Sequence, residues 1–305
     1  MNNKVLRIAT RKSRLAMCQA KYVCDELKRY HPSIKLELVP VVTTGDKYSF
    51  YSMKNNIKKG AFIKELEYAL IDSRADIAVH SMKDMTASLP KGLILPILCK
   101  RHDPRDAFVS LKYSNIYELP AGGIVGTSSI RRQCQILAQR PDLILSNLRG
   151  NVDTRLNKLR YEHQYDAIIL AVAGLERLNL SKYIRVYIDP TDVLPAMGQG
   201  AIAIECRATD FDTLSLLLPL NHKDTALCIT AERAVTTYLG SYCQFPVASY
   251  AEIIKDQIWL RALIGLPDGS KITRVEGRAP IEQAENLGII LAKNLLFRFR
   301  NDVFL

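Results

Sequence analysis

The chain has 305 residues, 48% hydrophobic and 24% charged, the balance of a globular protein too long for one core, so two or three domains are expected. Lys and Arg number 42 against 31 Asp and Glu, a formal net charge of +11 that favours anionic partners. No apolar run approaches the roughly 20 residues a bilayer span needs, and the opening MNNKVLRIATRKSR lacks the apolar core of a secretory signal, so a cytoplasmic protein without membrane contact is expected.

In chain order, VLRIAT (5–10) reads as a buried strand and IKLELVPVV (34–42) as a second. Between them SRLAMCQAKYVCDELKRY (13–30) reads as a helix beginning at Ser13, with Leu15, Cys18, Tyr22, Val23 and Leu27 near one face. Residues 43–60 break every periodicity and include Lys47, Lys54, Lys58 and Lys59, the composition of a cationic loop covering a site. FIKELEYALIDS (62–73) reads as a helix. ADIAVH (75–80) reads as a short buried strand whose carboxyl end delivers Ser81, Met82, Lys83 and Asp84, where open α/β sheets place ligands.

RHDPRDAFVS (101–110), charged and Pro-containing, reads as a crossing into a second unit. Three strand–helix pairs follow: GIVGTSS with IRRQCQILAQR, DLILSNLRG with NVDTRLNKLRYEHQ, and the continuous YDAIILAVAGLERL. They predict a parallel sheet with helices on both faces. The apolar AIAIE within DVLPAMGQGAIAIECR (192–207) fits equally a strand returning to the first sheet and a further strand of the second. HKDTALCITAERAVTTYL (222–239) is helical. Beyond it, alternating strands, a D-G turn at Asp268 and Gly269, and a terminal helix over about 281–295 describe a small α+β third domain.

The stretch VGTSSIRRQCQ poses a chemical question, because Arg131 and Arg132 stand side by side at a helix start and repel each other unless an anion lies near. Helix N-termini suit anions, and two cations placed there unaided are electrostatically poor. Either Thr127 or Ser128 caps the helix while both arginines project into solvent, or the segment holds an anion. LRGNVDTR repeats the pattern with Arg149 and Arg155, and Arg11 and Arg177 add cations at strand-to-helix junctions. Together they describe a cleft for carboxylates, which the planar guanidinium fork matches. Asp84, beside Lys83, either locks a guanidinium or stabilises a cationic intermediate. His80 reads as a packing or hydrogen-bonding residue rather than a base.

Of the seven cysteines, Cys18, Cys24, Cys206 and Cys228 fall in helical or strand patterns and read as small core residues, whereas Cys243 in GSYCQFPVAS is on a loop and open to modification. With no C-x-x-C pair and no His at finger spacing, neither a disulfide framework nor a metal site is expected. Two other function classes compete: an anion sensor of periplasmic-binding type, and a nucleic-acid binder suggested by charge but lacking a recognised reading motif.

RIATRKSRLA, FIKELE, RADIAVHSMKD, DPRDAF, VGTSSIRRQCQ, LRGNVDTRL, DAIILAVAGLERL, LPAMGQGAIAIECR, AERA and CQFP, in this order, resemble the hydroxymethylbilane synthase (porphobilinogen deaminase) family from about Leu6 to the terminal helix. The resemblance implies an α/β fold of three domains, the first two periplasmic-binding-protein-like (type II) and the third a small α+β domain. It implies boundaries of 1–99 plus 200–217, 105–193 and 222–305, which selects the returning strand. It implies a transferase that condenses four porphobilinogen molecules head to tail, releases four ammonia and then the linear tetrapyrrole hydroxymethylbilane, on a dipyrromethane cofactor attached through Cys243. The cofactor plus four added rings carry about a dozen carboxylates, whose repulsion fixed cations must offset. A monomer in the cytoplasm, with no nucleic-acid partner, is implied as well.

By the same resemblance Asp84 is the catalytic aspartate, which stabilises positive charge on pyrrole nitrogens and assists proton transfer. Lys83, Thr127, Ser128, Ser129, Arg131 and Arg132 hold the cofactor. Arg11, Ser13, Phe62, Arg149, Arg155 and Arg177 bind substrate and growing chain. The chain departs from the family pattern at Asp153 and Tyr242, where glycine is common.

Overall fold

The structure, a computed structural model, describes residues 5–46, 60, 62–86, 88–162, 164–240 and 245–304. Strand β1 (Val5–Arg11) buries Leu6 and Ile8 in one cluster and Ala9 in another, so the sheet is covered on both faces. β1 pairs in parallel with β2 (Lys35–Val41) and β3 (Ile77–Ser81). The first sheet runs β2-β1-β3-β10-β4, with β4 at Leu93–Leu98 and β10 at Ile202–Arg207. β10 lies antiparallel between β3 and β4, so AIAIE is the returning strand, and its unbroken apolar run is what a strand buried on both faces requires.

Helix α1 (Arg14–Tyr30) starts where Ser13 accepts the Ala16 N–H, and Lys28 and Arg29 suit the negative end of its dipole. Its buried face is Ala16, Gln19, Ala20, Val23 and Leu27. The predicted stripe is therefore corrected in the first turns, where Leu15, Cys18 and Tyr22 are only partly buried. Two alanines let the helix approach the sheet closely, and a search for bulky apolar residues passes over them. α2 (Lys64–Ile71) covers the opposite face through Leu66, Ala69 and Leu70.

The second sheet runs β7-β6-β8-β5-β9, from β5 (Asp106–Val109), β6 (Ile124–Gly126), β7 (Ile144–Ser146), β8 (Ala167–Ala171) and β9 (Val186–Ile188). β6 is parallel to β7 and β8 as expected, but β5 is antiparallel to β8 and β9, so the sheet is mixed. The chain passes into the second unit between His102 and Asp103, within the segment read as a crossing, but that segment also holds a strand the reading missed: all four residues of DAFV are buried, and the charged first one hides the strand from a hydrophobicity pattern. α3 (Ile130–Leu137) packs Ile136 on one face, α4 (Val152–Tyr161) packs Leu156 and Leu159 on the other, and α5 (Val172–Arg177) follows β8 directly. Each five-stranded sheet thus has parallel strands in the order 2-1-3 followed by an antiparallel strand entered just after a crossing, the strand order expected of the periplasmic-binding-protein-like (type II) plan that the resemblance implied.

The third sheet is an antiparallel meander of β11 (Val247–Ile254), β12 (Gln257–Gly265) and β13 (Ile272–Pro280). α6 (Phe211–Leu217) packs on the first sheet; α7 (Lys223–Tyr238) and α8 (Ala284–Phe304) cover one face of the third through Val235, Leu291 and Leu295. α8 runs well past the predicted end at 295. By compactness the chain forms two units, Met1–His102 with Ala201–Ala226 and Asp103–Gly200 with Leu227–Leu305, so the second and third sheets share a unit. A common cluster of Leu194, Ala248, Tyr250 and Leu263 joins them, and buried Glu232 of α7 accepts the N–H groups of Gly198 (2.7 Å) and Ala251 (2.9 Å). Among the described residues no helix is long and apolar enough to cross a membrane.

The predicted D-G turn seats on α3. Gly269 has φ +74°, and a Cβ there would stand 2.6 Å from both the Ala138 nitrogen and the Cys134 carbonyl oxygen. Gly269→Ala is therefore expected to cost about 1–3 kcal/mol, read as a lower urea midpoint with an unchanged slope. An unchanged midpoint would mean that the turn lifts off the helix without loss.

Candidate active site

The structure answers the arginine question inside the protein. Gly126 precedes the turn because a Cβ would strike the Tyr165 ring at 2.8 Å. Ser129, extended at φ −88°, is the N-cap of α3 and makes no side-chain capping bond, while Thr127 Oγ1 accepts the Ser129 N–H (3.2 Å) and Ser128 Oγ donates to the Leu148 carbonyl (2.9 Å). Neither arginine projects into solvent: each is 5% exposed. Arg131 Nη2 donates to Asp106 Oδ2 (2.7 Å), and Arg132 donates to Oδ1 through Nη2 (2.6 Å) and Nε (3.1 Å). Gln199 Nε2 adds a bond to Oδ1 (2.8 Å), and the Leu194 and Ile169 carbonyls accept from Arg131 and Arg132 at 2.6 and 2.9 Å.

Asp106 is fully buried. Burial alone would raise its carboxyl, but attraction to Arg131 and Arg132 and their hydrogen bonds outweigh that and hold it well below the usual carboxylate range. Two cations against one anion leave a rigid, net positive centre at the start of α3. Nearby, Arg149 lies between β7 and α4, half-buried, and its Nη1 is a buried donor without an acceptor among the described residues. Asn151 caps α4 by accepting the Thr154 N–H (2.9 Å), and Arg155 Nε donates to the Gly150 carbonyl (2.8 Å). Arg177 is the last residue of α5, not a strand-to-helix junction as the spacing suggested, and its Nη2 donates to the Gly200 carbonyl (2.7 Å).

The other unit carries the carboxylate candidate. β3 ends at Ser81, and a single 3₁₀ turn, Met82–Asp84, presents Lys83 and Asp84 as exposed side chains while Met82 is buried and its N–H bonds the Ala201 carbonyl (3.0 Å). A small hollow of about 20 Å³ is lined by Asp84, Ser81, His80, Gln19, Phe62 and Arg11. The Arg11 guanidinium lies 4.2 Å over the Phe62 ring and pairs with Asp46. Burial would raise the Asp46 carboxyl, but hydrogen bonds from Arg11 and Thr43 lower it overall. His80 Nε2 meets Glu205 Oε2 at 3.0 Å in the core, the hydrogen-bonding role expected of it.

Within this unit Arg11, Phe62 and Asp84 come together, with Ser13 at the start of α1 and Lys83 beside Asp84. Thr127, Ser128, Ser129, Arg131, Arg132, Arg149, Arg155 and Arg177 belong to the other unit. Cys243 and Tyr242, and most of the predicted cationic loop (47–59), lie outside the described residues. Cys206 and Cys228 are buried as expected, whereas Cys18 and Cys24 are only partly so. Among the described residues no group of His, Cys, Asp and Glu is disposed to hold a metal. Sequence reasoning missed Asp106, Asp46 and Gln199. The signal for Asp106 was a carboxylate opening the short apolar run DAFV.

Comparison with known proteins bears on this arrangement. The family profile "Porphobilinogen deaminase, dipyromethane cofactor binding domain" matches residues 6–215, and "Porphobilinogen deaminase, C-terminal domain" matches 226–297. The porphobilinogen deaminase of Blochmanniella pennsylvanica (strain BPEN) is 70% identical over 300 residues, 98% of this chain and 100% of that one. That of Blochmanniella floridana is 68% identical over 303 residues, 99% and 97%. Among solved structures, the methionine binding protein MetQ aligns with TM-score 0.46 at 10% identity over 78% of this chain and 95% of its own. The chain belongs to the porphobilinogen deaminase family.

Proposed function

We infer that this chain condenses four porphobilinogen molecules head to tail, releases four ammonia, and frees the linear tetrapyrrole hydroxymethylbilane by hydrolysis. It is a transferase of tetrapyrrole, porphyrin and haem biosynthesis. The observation that carries this is 70% identity, over nearly the whole of both chains, to a porphobilinogen deaminase. A monomer acting in the cytoplasm, with no nucleic-acid or membrane partner, completes the reading and rests on the family resemblance.

Residues 6–215 form a dipyrromethane-cofactor-binding domain. The side chains present suit such a group, because Arg149 Nη1 is a buried donor awaiting an acceptor and the N–H groups at the start of α3 have no side-chain cap. Bound there, the group supplies the free pyrrole α-carbon that primes chain growth. Its proposed holders are Lys83, Thr127, Ser128, Ser129, Arg131 and Arg132, with Cys243 as covalent anchor. Pinned by Asp106, the two arginines offer fixed charge at little cost in side-chain entropy.

Arg11, Ser13, Phe62, Arg149, Arg155 and Arg177 are the proposed contacts of substrate and growing chain. Each condensation breaks the C–N bond of the incoming aminomethyl group, forms a C–C bond to the terminal α-carbon, and removes that carbon's proton. Asp84, exposed at the end of β3, is positioned to neutralise the pyrrole cation left by ammonia and then to take up the proton. The test is intact-protein mass after denaturation: the wild-type chain should carry the dipyrromethane increment, and Cys243→Ser should lack it. A Cys243→Ser chain that keeps the increment would move the anchor elsewhere.

A further inference from the structure

The third sheet carries a cluster of cations apart from the residues proposed for the condensation reaction. Its residues line a cavity of about 450 Å³ bounded by the 190–194 segment, β12, β13 and α8. That volume suits a small metabolite. The charged lining is three arginines, Arg261, Arg274 and Arg298, against one carboxylate, Glu276. Asn294 adds an amide from α8, one turn before Arg298.

Arg261 is the built part of the site. Cross-strand register sets it beside Tyr250 of β11 and Glu276 of β13, and its guanidinium lies 4.0 Å over the Trp259 ring and 4.9 Å over Tyr250 while pairing with Glu252. Its side chain is only 12% exposed. Even so, its Nε–H is buried and finds no acceptor among the described residues, an arrangement that ordinarily costs about 1–3 kcal/mol. Trp259 donates its own N–H to Glu276 (3.2 Å), the carboxylate of the lining, and Arg274 Nη1 reaches the Thr191 carbonyl (3.2 Å). A rigid guanidinium with an unmet donor, further cations and an amide around one cavity is the chemistry of oxyanion recognition.

We propose that this cavity binds a small polyanion bearing two or more carboxylate or phosphate groups, held by Arg261 and Arg298. Trp259 is the only tryptophan in the chain and lines the cavity, so intrinsic fluorescence reports on it directly. The experiment titrates the full chain with citrate and, separately, with pyrophosphate, against sodium chloride at matched ionic strength. A saturable change in Trp259 emission is expected with at least one of them, and the arm that responds tells carboxylate from phosphate recognition. Arg298→Gln, an exposed change that leaves the fold intact, should raise the half-saturation concentration about tenfold, equivalent to ~1.4 kcal/mol. Arg261→Gln should abolish saturation, and Arg298→Gln should leave porphobilinogen turnover unchanged. Chloride reproducing the signal, a response that never saturates in either arm, or the same half-saturation in both variants would overturn the proposal.

Discussion

Asp106→Asn is expected to lower the stability of the second unit by about 3–5 kcal/mol, because it leaves Arg131 and Arg132 buried side by side without their counter-charge. Against the ~5–15 kcal/mol by which domains are ordinarily stable, that is enough to bring the unit close to unfolding. Urea denaturation followed by circular dichroism measures it. A loss below about 1 kcal/mol would mean that water or backbone already solvates the pair. The effect depends on pH with a definite sign. A carboxyl held below its unfolded pKa of about 4 stabilises the fold at all higher pH and loses that contribution as pH falls through its folded value. The difference between wild type and variant should therefore be full at neutral pH and shrink only in strong acid.

Asp84→Asn should behave in the opposite way. The side chain is exposed on a 3₁₀ turn, so the isosteric change should move stability by less than about 0.5 kcal/mol. Turnover should nevertheless fall by about 10²- to 10⁴-fold, the range lost when a positioned acid–base group is removed. Cofactor loading, read by mass, and condensation rate, read as product formed per loaded chain, must be measured separately. A fully loaded Asp84→Asn chain that turns over at near wild-type rate would remove Asp84 from the mechanism. The two aspartates thus form a matched pair, one whose loss is read in urea and one whose loss is read in rate.

The strand and helix order was largely readable because periodicity is a local property. Val5–Arg11, the cap at Ser13, the GTSS turn before α3 and the D-G turn at Gly269 all announce themselves within a few residues. β5 did not, because DAFV opens with a charge and is only four residues long. The inward face of α1 was misjudged in its first turns, because Ala16 and Ala20 are buried for their smallness, which a search for bulk ignores.

The candidate site divides in the same way. The peculiarity of Arg131 and Arg132 was visible as two like charges at a helix start, and that alone demanded an anion. Which anion depended on a partner 25 and 26 residues earlier in the chain, and only the folding of β5 beneath α3 put Asp106 against them. Similarly Arg11 could be listed as a cation from its place after β1, but its pairing with Asp46 and its stacking on Phe62 come from three separate stretches converging. Residue type and local spacing determine which elements form and which side chains are chemically unusual. Charge compensation and burial act through space between distant segments, so whether each unusual side chain is satisfied from within or kept for a ligand was decided by the tertiary structure alone.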